Sequence, residues 1–299
     1  MTIEWALDAP LLLDRAAERR DTYDHDGADA IVVHAGSVLT VDGKLLRVSP
    51  ADRPVAALEL YLGHDGHRDV IGIVPAEPPT ASAGSDGEGR GTMTGLRAFL
   101  DLIADRGDSG ELDREVGATA VALATWHDNH PRCAVCGDVT EPRKGGWVRW
   151  CERDQREHYP RTDPAVIVAI TDPDDRLLIA HASYFSPRRF SHLAGYVEPG
   201  ESLEQALHRE VWEECRLSVK DVRYVASQPW PFPASIMVAF TARTDDPAMT
   251  LDQDEISEAR FVTRQELSDL EADGTIILPP TGSISRRLME DWRVGVGGS

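Results

Sequence analysis

The run from Gly195 to Leu217, GYVEPGESLEQALHREVWEECRL, limits what this chain can fold into more than any other stretch. Gly195 and Gly200 bracket a loop in which the backbone bends sharply, and Pro199 restricts one dihedral inside it. Ser202 is a good helix N-cap. From Leu203 to Cys215 the residues (Leu, Glu, Gln, Ala, Arg) favour helix. At about 100° per residue, Glu213 and Glu214 fall about 60° and 40° to either side of Glu210. Leu203 and Leu207 lie near the same stripe one or two turns earlier. The helix thus enters the core with leucines and ends there with acids. Clustered carboxylates repel one another and oppose the negative end of the helix dipole. A hard divalent cation such as Mg²⁺, held by several carboxylates together with phosphate oxygens, resolves both conflicts. The plain alternative is a solvated acidic face.

Upstream, AVIVAI at 165–170 reads as a buried strand, DPDD at 172–175 as a turn, and RLLIA at 176–180 as a second strand. Strand, turn, strand, glycine loop and helix together indicate an α+β domain over 161–299. Residues 1–129 carry strand-like runs at Ile31–Val33, Ala56–Leu62 and Val70–Val74. A stretch rich in Pro, Gly, Ser and Asp from Pro75 to Gly91 follows, then helical spacing over Gly95–Asp105 and Glu115–His130. These residues offer no chemistry and are expected to form an α+β accessory or dimerisation domain.

Between the two lies 130–160, with three of the four cysteines. Cys133-Ala-Val-Cys136 followed by Cys151-Glu-Arg-Asp154 has the spacing of a zinc ribbon, with a carboxylate in the fourth place. Zinc accepts a carboxylate, so a Cys₃Asp site for structural Zn²⁺ is open, with His158 nearby as a substitute ligand. A ribbon that keeps its shape by packing alone is the alternative. Cys215 stands apart and reads as a small packed residue.

The balance of 51 acidic against 31 basic residues gives a net charge of −20. That argues against a general nucleic-acid binder, but not against one small anionic ligand held through a metal. No run is long and apolar enough to cross a membrane, and the N-terminus lacks an export pattern, so the expectation is a cytoplasmic protein.

Just after the helix stands SQPWPFPAS, Ser227–Ser235. Its prolines make it stiff and non-helical, and its Trp and Phe suit stacking on a planar ring or packing on the core.

The spacing of Gly195, Glu201, Arg209, Glu210, Val211, Glu213, Glu214 and Leu217 resembles the Nudix hydrolase motif. With SQPWPFPAS downstream, the chain is similar to the NudC-type NAD(H) diphosphatases of that superfamily. The resemblance implies a Nudix fold, a mixed sheet between helices (α/β/α), carrying a zinc-ribbon-like insert. It implies Mg²⁺- or Mn²⁺-dependent hydrolysis of the pyrophosphate of NAD(H) or a related dinucleotide, giving AMP and nicotinamide mononucleotide. It also implies removal of the NAD cap from RNA. Glu210, Glu213, Glu214, Glu255 and the Ala194 carbonyl are the implied metal ligands, with Arg209 orienting the acids and Glu258 in support. Gln228, Pro229, Trp230, Pro231, Phe232, Pro233, Ala234 and Ser235 are the implied substrate contacts. Tyr159, Tyr196 and Ser285 join them. A homodimer is implied as well.

Two positions depart from the pattern. Relatives carry cysteine where this chain has Asp154, and glycine where it has Arg216, a place that suits positive φ. A strip formed by Arg143, Lys144, Arg149, Arg153 and Arg156 is the candidate guide for an RNA 5′ end. A nucleotide sensor with the same fold and no turnover is the rival reading, against which the intact glutamates speak.

Overall fold

The computed structural model describes residues 7, 9–79, 91–104, 106 and 108–295. The chain divides into two compact units. One comprises Ala9–Arg161 with the turn Pro231–Ala234; the other comprises Thr162–Trp230 and Ser235–Ser299 together with Met1–Asp8.

The first unit begins with strands β1 (Asp29–His34), β2 (Ser37–Val41), β3 (Lys44–Leu45), β4 (Ala56–His64), β5 (Asp69–Pro75) and β6 (Thr92–Gly95). They form one sheet in the order β3-β2-β1-β5-β4, with β6 against β2. β1 and β5 run parallel, whereas β4 and β5 are antiparallel. Helices α1 (Leu96–Ile103) and α2 (Asp108–Asn129) pack on one another and on this sheet. α2 starts seven residues before the expected Glu115. Gly110, which reads as a helix breaker, lies where a Cβ would stand 2.6 Å from the Ile103 carbonyl oxygen, so it permits the close approach of α1 to α2. Most of the loop expected at 75–91 lies outside the described residues.

The ribbon belongs to the same unit. Its strands β7 (Glu141–Arg143), β8 (Val148–Cys151) and β9 (Arg156–His158) form a three-stranded antiparallel sheet. Tyr61 N–H donates to the Gly145 carbonyl at 2.8 Å, and Trp147 Nε1 donates to the Tyr61 carbonyl at 2.6 Å. Arg149 is buried, donating to Thr140 Oγ1 and to the Thr140 carbonyl; it also lies 2.6 Å from His127 Nδ1. Burial holds the His127 imidazole down to about 4, so the ring is neutral and takes the Arg149 donor on Nδ1 while Nε2 faces the Gly146 carbonyl at 2.7 Å.

The second unit is built on β10 (Asp163–Thr171), β11 (Leu177–Ala182), β12 (Leu193–Tyr196), α3 (Leu203–Cys215), β13 (Lys220–Trp230), β14 (Ser235–Arg243), β15 (Ile256–Val262), α4 (Arg264–Ala272) and α5 (Ile284–Val294). Its sheet runs β13-β14-β10-β11-β15, with β12 against β10. It is mixed: β10 and β14 are parallel, the other pairs antiparallel. Strand alternation gives β10 two lives. Val166, Val168 and Ile170 pack under Leu207 and Val211 of α3, while Ile167 and Ala169 face the core of Leu288, Met289 and Trp292 from α5. The sheet between helices is the expected Nudix architecture. Among the described residues no helix is long and apolar enough to cross a membrane.

Candidate active site and metal centre

α3 is closed at both ends. Ser202 Oγ accepts from Gln205 N–H, and Gln205 Oε1 accepts from Ser202 N–H at 2.8 Å, a reciprocal cap. At the other end Arg216 keeps the left-handed conformation that the motif's glycine suits, at φ 57° and ψ 23°. Arg216 Nη1 donates to the Trp212 carbonyl at 3.2 Å, and the guanidinium lies 5.8 Å from the Trp212 ring centre.

Arg209 organises the acids. It grips both oxygens of Glu201, at 2.6 and 2.8 Å, and donates to Glu210 at 2.9 Å, Glu213 at 3.0 Å and the Tyr196 carbonyl at 2.9 Å. The Arg209 hydrogen bonds, helped by Glu198 N–H, hold the Glu201 carboxyl down to about 2. Glu201 is a partner that sequence reasoning treated only as a motif position. Gly195 makes room for Glu210: a Cβ there would stand 1.9 Å from the carboxyl carbon.

Glu214 differs from its neighbours. It is 6% exposed, and its Oε2 is buried with no hydrogen-bond partner. Burial first, then the charges of Glu210, Glu255 and Glu213, push its carboxyl up to about 8. Burial likewise raises Glu210. A buried carboxylate with an orphaned oxygen, ringed by three more acids, fits a divalent cation, which supplies the missing charge.

Glu255 reaches this group through a loop that docks on the end of α3. Thr250 N–H donates to the Cys215 carbonyl at 3.0 Å and Asp252 N–H to the Glu214 carbonyl at 2.9 Å. These bonds occupy carbonyls that the helix end leaves open. Asp252 Oδ1 accepts from Asp254 N–H at 3.0 Å, and the Asp252 carbonyl accepts from Glu255 N–H at 3.2 Å. Ser183 N–H then ties the Glu255 carbonyl at 2.8 Å. Asp252 went unnoticed in the sequence; the signal was the Asp-x-Asp turn in LDQDEIS. Glu258 stands elsewhere, on β15 opposite His181 and 3.7 Å from Arg260.

Ala194 lies on β12 opposite Ile167 of β10, one residue before Gly195. Tyr196 is half exposed and its hydroxyl is 3.0 Å from Ser235 Oγ. SQPWPFPAS is the end of β13, a turn, and the start of β14, with Trp230 opposite Ser235. Pro229 and Pro233 are exposed, whereas Trp230, Phe232 and Ala234 are half-buried and Pro231 buried. Gln228 and Ser285 use their side chains internally. Gln228 Nε2 donates to the Gly282 carbonyl and its Oε1 accepts from Ile284 N–H, both at 2.8 Å, which fastens β13 to the start of α5. Ser285 is buried with its hydroxyl 2.8 Å from Ser191 Oγ. Tyr159 belongs to the other unit, where it is exposed and donates to Glu157 at 2.5 Å.

In that unit the Cys133, Cys136 and Cys151 sulfurs and an Asp154 oxygen lie within 4.8 Å of one another. Cys136 and Cys151 sulfurs are 3.5 Å apart, and Cys133 Sγ is 3.1 Å from Asp154 Oδ2. The edge of a tetrahedron with ~2.3 Å zinc–sulfur bonds is about 3.8 Å, so the cluster has the size of a zinc site. Asp154 fills the fourth corner; His158 lies outside the group, on β9 opposite Arg149.

The expected basic strip needs correction at Arg149. Arg149 is buried in the hydrogen bonds described above. Lys144 is paired with Glu157 at 2.7 Å, Arg143 with Glu152 at 3.8 Å and Arg153 with Asp138 at 3.5 Å.

Comparison with known proteins agrees with this geometry. A family model of the NUDIX domain matches residues 161–279, and one of the NADH pyrophosphatase zinc ribbon domain matches 128–159. The NAD-capped RNA hydrolase NudC of Mycobacterium bovis (strain BCG / Pasteur 1173P2) is 36% identical, covering 95% of this chain and 94% of that protein. The protein of the same name from Salmonella typhimurium is 39% identical over 67% of this chain and 78% of its own length. A NUDIX hydrolase structure from Nitrosomonas europaea aligns at 19% identity and a TM-score of 0.44, covering 55% of this chain and 90% of that one. The chain therefore belongs to the NudC family of Nudix hydrolases.

Proposed function

We propose that this protein is a divalent-metal-dependent hydrolase that splits the pyrophosphate of NAD(H) into AMP and nicotinamide mononucleotide, and that it also removes the NAD cap from RNA 5′ ends. The observation that carries this reading is the buried, unpartnered Glu214 carboxylate ringed by Glu210, Glu213 and Glu255. The relatives named NAD-capped RNA hydrolase support the choice of substrate.

Glu210, Glu213, Glu214, Glu255 and the Ala194 carbonyl are the metal ligands in this reading. Mg²⁺ or Mn²⁺ bound there neutralises the pyrophosphate and lowers the pKa of the attacking water. Arg209 fixes Glu210 and Glu213 from one guanidinium and keeps them from turning outward. In this reading the half-exposed Tyr196 and the half-buried Trp230 are the rings that stack on a base. Gln228 holds the strand of Trp230 against α5 and acts by position. Ser285 and Tyr159 remain part of the substrate reading. The first unit carries structural Zn²⁺ on Cys133, Cys136, Cys151 and Asp154. The division into 1–129, 130–160 and 161–299, a homodimer and a cytoplasmic place complete the proposal.

Incubating the purified protein and Mn²⁺ with NADH, NAD⁺, ADP-ribose and NAD-capped RNA, and separating the products, tests it. AMP with the mononucleotide from NADH, and a 5′-monophosphate end from the capped RNA, are expected. Binding of NADH without release of AMP would show a sensor instead.

A further inference from the structure

The face of the second sheet turned away from α3 carries another cleft. It has a volume of about 720 Å³ and lies between α5 and strands β10, β13 and β14. The carboxylate group is tied to β10 where β12 pairs with it, at Ala165–Val168. The cleft touches the same strand at Ala169 and Thr171, on the opposite face. From Ile167 to Thr171 is about 13 Å at ~3.3 Å per residue.

Four arginines converge on it: Arg223 from β13, Arg243 from β14, Arg264 from α4 and Arg287 from α5. The floor is apolar, with Ala169, Leu177, Val225 and Leu288. Arg264 is bound to Asp175 at 2.7 Å and lies 4.6 Å from the Trp292 ring centre. The Arg287 Nε is buried and makes no hydrogen bond; Asp291 is 3.6 Å from it. Asp221 is the remaining acid of the lining. The lining thus holds four arginines and three aspartates, an excess of one formal positive charge on a protein of net charge −20.

We propose that this cleft is a second binding site, for a small nucleoside phosphate, separate from the carboxylate group. Its size lies in the ordinary range for small-ligand sites, and an apolar floor with a few charged groups is their usual composition. Guanidinium groups match phosphate oxygens two at a time. The excess of one positive charge suits a small anion, whereas a long polyanion needs many unopposed cations. The inference goes beyond the hydrolase reading and does not rest on it.

Titration calorimetry of the full chain without added Mg²⁺ or Mn²⁺, using AMP, ADP and ATP as probes, tests the site. At least one is expected to bind with a Kd below about 1 mM. Arg223→Ser combined with Arg243→Ser, both on exposed strand positions, is expected to weaken it at least ~10-fold. An unchanged melting temperature confirms that this variant folds, and its hydrolysis of NADH stays at the parent rate. Arg287→Gln, tested alone, is expected to weaken binding too. Failure of all three probes to bind overturns the proposal. So does binding that survives the double substitution, or that disappears in Glu214→Gln, since the nucleotide then occupies the carboxylate site. An absence of NADH turnover would sink the hydrolase reading and leave this test standing, because it reads binding alone.

Discussion

Glu214 shows what burial among other acids does to a carboxyl group. Its carboxyl is raised from 4.5 to about 8, so the folded protein holds that proton more tightly than the unfolded chain does. The contribution of this group to the stability of the metal-free protein is therefore fully present below about 4.5 and is lost as the pH rises toward 8, by on the order of 3 kcal/mol at pH 7. Glu214→Gln should remove this slope in urea melts recorded between pH 5 and 8 without metal. The same variant should lose NADH hydrolysis at least ~100-fold. A variant that keeps the parent rate would remove Glu214 from the site. Arg216 is a second case. It sits at φ 57° without the freedom of glycine, so Arg216→Gly should raise stability by about 0.5–1 kcal/mol, read as a higher melting temperature with activity unchanged. Both positions could be picked out in the sequence, one by agreeing with a pattern and the other by breaking it. Their environments could not. Nothing in EVWEECRL says that Glu214 is buried without a donor while Glu213, one residue earlier, is exposed and held by Arg209.

At the scale of elements, helix α3 was legible because a cap, a leucine stripe and a spaced set of acids all agree locally. The loop that ends it was not. Asp252 joins α3 to Glu255 through backbone bonds across a long gap in sequence, and such pairings leave no periodic trace. Asp252→Ala should free Asp254 N–H, loosen the loop and cost about 1 kcal/mol of stability. Its sharper signature is the Mn²⁺ concentration for half-maximal rate, which should rise several-fold while the rate at saturating metal stays close to the parent. An unchanged metal requirement would show that the turn holds Glu255 without its side chain. SQPWPFPAS behaves in the same way. Stiffness and absence of helix follow from its prolines, but its division into two paired strand ends and a turn depends on β14 lying beside β10.

For the whole molecule, the ribbon shares one compact unit with the first sheet and its helices, and this bears on the role of zinc. Arg149, His127 and Trp147 hold the ribbon by hydrogen bonds independent of the thiolates. Removing the zinc proposed at Cys133, Cys136, Cys151 and Asp154 should therefore lower the melting temperature without abolishing the fold, and Asp154→Cys should hold zinc against a chelator that strips the parent protein. Zinc content by mass spectrometry and thermal melts before and after chelation check both; complete unfolding on chelation would show that the packing alone does not suffice. The sequence by itself determined helix α3, the cysteine spacing and the family, because each is a local pattern in which many residues agree at once. Only the tertiary structure decided that Arg149 is a buried fastener, that Gln228 ties β13 to α5, and that an arginine-lined cleft exists. Each of those depends on which distant segments the fold brings together and on how much water it leaves between them. Burial and long-range pairing are properties of the packed chain, and no window of sequence contains them.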